Sequence, residues 1–287
     1  MRRRLENFLA EHRKLSLAML FSGTAMVITL TFLAAFAPYV ARYSPVEIGS
    51  TLLGPPNSDH ILGTDALGRD IFSRVCYGGR ASLSVAFVAM IISITVGSFL
   101  GAAGGYIGGK LDRVVAVFMD AAYAFPTYIM AFMIAIVLGP DAINLSFAVA
   151  IAGIPGYFRI VRSIALSIKE RTFIEAEVII GAPTKYIVIH HILPYAISSI
   201  IVLMSMGVAD AILAISGLGF LGIGIQPPSP EWGTDLRWGR EVLLNGQWWP
   251  TVFPSIAIFL AVFGFNMLGE GLSAIFREQA GGRFAVP

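Results

Sequence analysis

"EAEVIIGAPTKYIVIHHILP", running from Glu175 to Pro194, is the stretch on which the reading of this chain turns. Two carboxylates, a Lys and two His are costly in hydrocarbon, yet Ile and Val recur throughout and Gly181 and Pro183 punctuate it. Residues 159–194 as a whole are too apolar for a floppy linker. Ile164, Ile168, Phe173, Ala176 and Ile180 recur near the helical period. Gly181-Ala182-Pro183 then ends one helix, and Pro183 begins the next at its first turn. The pattern predicts a helix, a tight turn and a second helix. Gly181 permits φ > 0 or close approach of another backbone, and Pro183 fixes the angle at which the chain turns back. Two readings stay open on spacing alone: a knob offered to a cytoplasmic partner, or an amphipathic helix lying on a bilayer surface.

The surroundings are those of a polytopic membrane protein. Of 287 residues, 56% are hydrophobic and only 13% charged, and the mean hydropathy is +0.76, outside the soluble range. A helical span needs about 20 apolar residues. Runs at 15–40, 82–103, 114–138, 143–158, 195–213 and 249–276 supply six spans, the fourth shortened by Pro155 and Gly156 and the fifth continued by a Gly-rich run to 225. "AAFAPYVARYS" weakly imitates a cleavage site, but the first run is long enough to read as an uncleaved helix. The loops between spans one and two and between spans five and six are rich in Gly, Pro and charge and face water. A net charge of +2 argues nothing for nucleic acid. Cys76 is the only cysteine, which excludes an internal disulfide and suits neither zinc nor a redox pair.

Six spans place both termini on one side, and the basic residues choose it. Arg2, Arg3, Arg4, Arg13, Lys14, Lys110, Arg113, Arg159, Arg162, Lys169, Arg171, Lys185, Arg277 and Arg283 fall on one side. Arg42, Arg69, Arg74, Arg80, Arg237 and Arg240 fall on the other. The positive-inside rule puts the larger group, both termini and residues 159–194 in the cytoplasm. Residues 1–80 then form a cytoplasmic segment, the first helix and an outer loop; residues 81–287 form the transmembrane unit.

The opening stretch is similar to the EAA loop of bacterial ABC-importer permeases: Glu-Ala-Ala, three residues, Gly, nine residues, Ile-x-Leu-Pro. Glu175, Ala176, Gly181, Leu193 and Pro194 stand at matching positions, while Glu177 replaces the second Ala and His191 the Ile. Further stretches resemble the C-type subunit of dipeptide, oligopeptide, nickel and glutathione importers. They are "HILGTDALGRDIFSRVCYGGRASLSV" (60–85), "GYIGGKLDRVVAVFMDAAYAFPT" (105–127), "GFLGIGIQPPSPEWG" (219–233) and "FNMLGEGL" (265–272). The C-terminal "LDP" of that branch is replaced by "FREQAGG".

The resemblance implies an all-α type I importer permease in the bacterial or archaeal inner membrane. It implies a second homologous permease making a heterodimer, two cytoplasmic ATPases that bind ATP and Mg, and a periplasmic binding protein that delivers peptide or a related solute. This chain carries no GxxxxGK[ST] phosphate loop. Its energy therefore arrives through a contact, for which Glu175, Ala176, Glu177, Gly181, Ala182, Pro183, Leu193 and Pro194 are the expected residues.

Asp120 and Asp210 lie inside spans, where carboxylates point to function by default. Either is a candidate for the translocation pathway; Asp120, six residues before Pro126, also suits a hydrogen bond at a kink, and Asp210 a helix-helix contact. Gly217, Gly219, Gly222 and Gly224 suit close packing or a flexible gate. Asp65, Arg69, Asp70 and Arg74 have the spacing of ion pairs on one short helix. They suit internal bracing or, for Asp65, Arg69 and Asp70 together with Trp232, a contact with a periplasmic partner. His190 and His191 are adjacent, so they diverge and make no metal site. Two other classes remain in view on residues alone. An ion-coupled transporter would use Asp120 and Asp210 but needs no cytoplasmic corner. An intramembrane enzyme needs paired groups within spans, and His12, His60, His190 and His191 all fall outside them.

Overall fold

The computed structural model describes the backbone of residues 2–283 and the side chains of residues 14–276. The placement expected for the termini, and for the basic side chains at 2, 3, 4, 13, 277 and 283, lies outside the described residues. The elements are α1 (Arg2–Ala35), α2 (Ala37–Val40), α3 (Ile71–Ile107), α4 (Gly109–Tyr123), α5 (Thr127–Leu138), α6 (Ala142–Lys169), α7 (Thr172–Ile179), α8 (Thr184–Ile187), a π-helical turn (Val188–Ile192), α9 (Leu193–Phe220), α10 (Trp232–Leu243) and α11 (Trp249–Arg283). Among the described residues there is no strand, only an isolated bridge between Thr64 and Asp70.

Five helical stretches are long and apolar enough to cross a membrane: Lys14–Ala35, Ile71–Ile107, Ala142–Lys169, Thr184–Phe220 and Trp249–Phe276. A sixth crossing exists if α4 and α5 count together, but they meet at 95°. The third span is thus corrected from one run over 114–138 to a broken one. Pro126 has no N–H and disfavours helix at the residue before it; it takes ψ 120° and caps α5.

The fourth span is corrected in the other direction, because α6 continues through Pro155 and Gly156 to Lys169. The turn preceding the proline has outside help: the Ser93 hydroxyl on α3 donates to the Ala150 carbonyl at 2.8 Å. Ser93 begins a stripe of small residues on α3, with Gly97, Gly101 and Gly105 following at every fourth position. A Cβ at these three glycines would lie 2.8, 2.5 and 2.7 Å from the carbonyl oxygens of Ile154, Phe158 and Arg162. Successive turns of α3 and α6 therefore meet backbone to backbone, the form of close packing that small residues permit in a membrane.

Helix α3 starts where the Asp70 side chain accepts from the Ser73 amide at 2.8 Å and stops at Gly108, φ 67°. At 1.5 Å per residue it is about 55 Å long, long enough to join the assembly of loops before it to the helical corner at residues 172–192. One apolar core of α3, α5, α6, α9 and α11 fills the middle. A second, of Ala102, Val161, Ala165, Ile168, Ile174, Ile187, Val188, Ile192 and Ala196, sits beneath the corner.

Candidate functional site

The corner is built from its base upward. The periodicity over 164–180 predicts one helix; the structure corrects this to two, with a break at Glu170 (ψ 8°) and extended Arg171 (ψ 140°). Helix α7 then ends in a Schellman motif: the Ala182 amide donates to the Glu177 carbonyl at 2.9 Å and the Gly181 amide to that of Val178 at 3.1 Å. Gly181 has φ 85°, the conformation expected of it, with nothing of this chain within 4 Å of where a Cβ would stand. Pro183 is extended (ψ 147°) and caps α8 instead of opening it, a one-residue correction.

Ile174, Ile187 and Ile192 are buried in the core beneath, against Ala165 and Ile168 of α6 and Ala102 of α3. Full burial of each such side chain stabilises by roughly 1.5–3 kcal/mol, so the corner is fastened to the ends of two long helices. Its tip is the opposite: Ile179 is 84% and Ile180 79% exposed. Glu175, Ala176, Gly181 and Pro183 are exposed too, with Ala182 and Leu193 half-buried and Pro194 exposed in the first turn of α9. The two residues that depart from the EAA pattern face each other, His191 Nε2 lying 3.3 Å from Glu177 Oε1. That is a close approach without hydrogen-bond alignment, since Nε2 has no hydrogen-bond partner, and it is an ion pair only when His191 is protonated. Glu177 thus points back at the turn, whereas Glu175 has no ion pair among the described residues. His190 instead stacks on Tyr186 at 4.4 Å, and no cluster suited to a metal occurs among the described residues.

Within the membrane a cavity of about 410 Å³ lies between α3, α5, α6 and α9. Its walls are mostly apolar, with Ser93, Thr127, Tyr128, Tyr157 and Asp210 as the polar exceptions. Asp210 is exposed to it. The Tyr157 hydroxyl donates to the Met90 sulfur at 3.4 Å and leans on α9 where Gly207 leaves room. Asp120 lines none of this cavity; its carboxylate is exposed, and the bond at the kink is made by its backbone carbonyl, which accepts from the Ala124 amide at 3.0 Å.

At the other end the loops form a polar brace. Asp65, Arg69, Asp70 and Arg74 do not share a helix: Asp65 and Arg69 lie in a turn, paired at 2.6 Å, while Asp70 caps α3 and meets His60 at 2.9 Å. Arg74 donates to Asp235 of α10 through Nε and Nη2 and to the Pro45 carbonyl at 2.8 Å. Glu231 caps α10, accepting from the Gly233 and Thr234 amides and from the Ser82 and Thr234 hydroxyls. Burial pushes its carboxyl up, opposed by those donors; burial likewise pushes Asp235 up to about 6, with Arg74 pulling the other way. Trp232 is buried over Gly78 and Gly79, its indole N–H donating to the Val75 carbonyl at 2.8 Å. Gly219 and Gly224 pack at the same junction, whereas Gly217 has nothing within 4 Å and Gly222 (φ 89°) ends α9. Sequence reasoning passed over Glu231, Asp235, Tyr128, Tyr157 and the small stripe of α3. The last was visible as a four-residue repeat; the others depend on segments far apart in the chain.

Three arrangements thus sit along one bundle: an apolar-tipped corner, a cavity with one carboxylate, and a polar brace of loops at the opposite end. Residues 93–279 match the family described as the binding-protein-dependent transport system inner membrane component. The chain is 39% identical over 251 residues to the dipeptide transport system permease protein DppC of Alkalihalophilus pseudofirmus, covering 87% of this chain and 82% of that one. It is 35% identical over 263 residues to the probable D,D-dipeptide transport system permease protein DdpC of Escherichia coli, covering 91% and 88%. It is 39% identical over 248 residues to the glutathione transport system permease protein GsiD of Pectobacterium atrosepticum, covering 86% and 82%. The alternatives of an ion-coupled transporter and an intramembrane enzyme give way, and the chain belongs to the binding-protein-dependent inner-membrane permeases, as a multi-pass transport subunit of an ABC importer with the type I permease fold.

Proposed function

We propose that residues 172–183 dock in a cytoplasmic ATPase and that the cavity around Asp210 is this chain's share of the substrate pathway. One observation supports the docking role: an exposed apolar tip of Ile179 and Ile180 stands on a base fixed to α3 and α6. Two large exposed aliphatics at a rigid turn are the form of a surface meant to be covered. ATP and Mg bind in the ATPases, and their closure moves the corner as a solid body because it is packed against the long helices.

The rest of the assembly follows. A second permease of related sequence covers the open side of the cavity, giving a heterodimer, and a periplasmic binding protein delivers cargo. Peptide is the cargo class favoured by the dipeptide permeases this chain is similar to. The basic residues argue for cytoplasmic termini and a cytoplasmic Gly181. On the outer face, Asp65, Arg69, Asp70 and Trp232 shape from beneath the surface that the binding protein meets.

Gly181→Leu tests the docking role. At φ 85° a side chain is strained by roughly 1–3 kcal/mol, and since this chain leaves the space empty, the variant folds. Its membrane level stays normal while ATPase co-purification with it falls about tenfold, the factor that 1.4 kcal/mol gives, because the leucine side chain stands in the open space that a docked partner would fill. Unchanged co-purification at unchanged membrane level contradicts the proposal.

A further inference from the structure

The cavity has an electrical sign that its apolar walls do not explain. Asp210 is exposed within it, halfway along α9, and among the described residues its carboxylate has no hydrogen bond or ion pair. Among the described residues no Lys, Arg or His lines the cavity. Two phenol rings do, Tyr128 from α5 and Tyr157 from α6. Tyr157 is fixed: its hydroxyl hydrogen goes to Met90, which leaves the oxygen lone pairs and the ring as acceptors. A lone carboxylate with aromatic faces nearby, in surroundings of low polarity, attracts an organic cation by charge and by the ring quadrupoles together. It repels an anion for the same reason. A helix-helix contact, the other reading of Asp210, requires a partner group, and none is offered among the described residues.

We infer that Asp210, with Tyr128 and Tyr157, forms a cation-favouring station in the cavity, selecting for cargo whose passing group is an ammonium or guanidinium and against cargo that is anionic there. This rests on the cavity being part of the pathway, and the experiment separates the two claims. A binding protein filters cargo before it reaches the membrane, so uptake rates mix two selections; the station is read more directly with thiol reagents of opposite charge.

Met206 lines the same cavity one helical turn before Asp210. Met206→Cys is placed in a Cys76→Ser background, in the assembled complex in membranes. Modification rates are measured with a quaternary-ammonium methanethiosulfonate and with a sulfonate methanethiosulfonate, with and without Asp210→Asn. The expected result is that Asp210→Asn lowers the cation-to-anion rate ratio about five- to tenfold, the effect of one charge on two oppositely charged probes at short range in a wet cavity. Asp210→Glu retains the ratio. If the introduced thiol reacts but the ratio does not change with Asp210→Asn, the station is overturned while the pathway stands. If neither reagent reaches the thiol in any state of the ATP cycle, the pathway reading falls and the station with it.

Discussion

Replacing Ile179 and Ile180 together by Asp abolishes capture of the ATPase while leaving the permease in the membrane. Both side chains are already exposed, at 84% and 79%, so the change removes nothing from the core of this chain. In the docked state each Ile contributes roughly 1.5–3 kcal/mol if fully buried, and an Asp there additionally loses water from a charge. The sum exceeds 3 kcal/mol, more than a hundredfold in affinity. Co-purification from membranes checks it. Ile174→Asp is the contrast: that side chain is 1% exposed in the base, so its loss lowers the amount of folded permease instead. Equal ATPase recovery with the tip variant and the wild type would refute the docking surface.

Arg74→Met has the second large effect, at the opposite end. Arg74 is the cation that holds Asp235, and it also ties the Pro45 carbonyl into the brace. Removing one partner of a buried pair costs about 3–5 kcal/mol because the other is left charged and alone. The loss carries a pH signature. In the wild type, burial raises the Asp235 carboxyl from 3.8 to about 6. The folded state therefore binds more protons than the unfolded between those values, and stability falls as pH rises through that window. Without Arg74 the folded carboxyl rises further, so the variant goes on losing stability above pH 6, where the wild type has levelled. Thermal unfolding in detergent at a series of pH values should show the gap between the two proteins widening upward from about pH 6. A gap constant with pH would mean that Arg74 acts through packing alone.

Most of the fold could be read from the chain because lipid imposes one requirement on every span, internal satisfaction of the backbone over a fixed thickness. The first and last spans, and the turn at Gly181, follow from local pattern. The errors came where tertiary neighbours overrule a local signal. Pro155 reads as a stop, yet α6 runs on to Lys169, held against α3 where the Ser93 hydroxyl reaches the Ala150 carbonyl and Gly97 and Gly101 bring the two backbones together. Pro126 reads as a kink within a span, yet the angle reaches 95°, and no property of residues 114–138 sets that value. Glu177 reads only as a departure from the family pattern; its approach to His191 brings together residues on opposite sides of the turn at Gly181, His191 standing in the π-helical turn Val188–Ile192. Asp65 to Arg74 looked like a helical ion-pair ladder, whereas Arg74 reaches Asp235, 161 positions away.

The docking of the corner is tested most directly by a photo-crosslinking amino acid placed at position 180 in the complete complex, irradiated in native membranes. Ile180 stands at the exposed tip, beside Gly181 and away from the buried base. The predicted result is an adduct whose mass is this chain plus one ATPase subunit, lost when Ile179 is also replaced by Asp. An adduct confined to lipid, with the ATPase present and active in the same membranes, would contradict docking and return residues 172–183 to a helix lying on the bilayer surface.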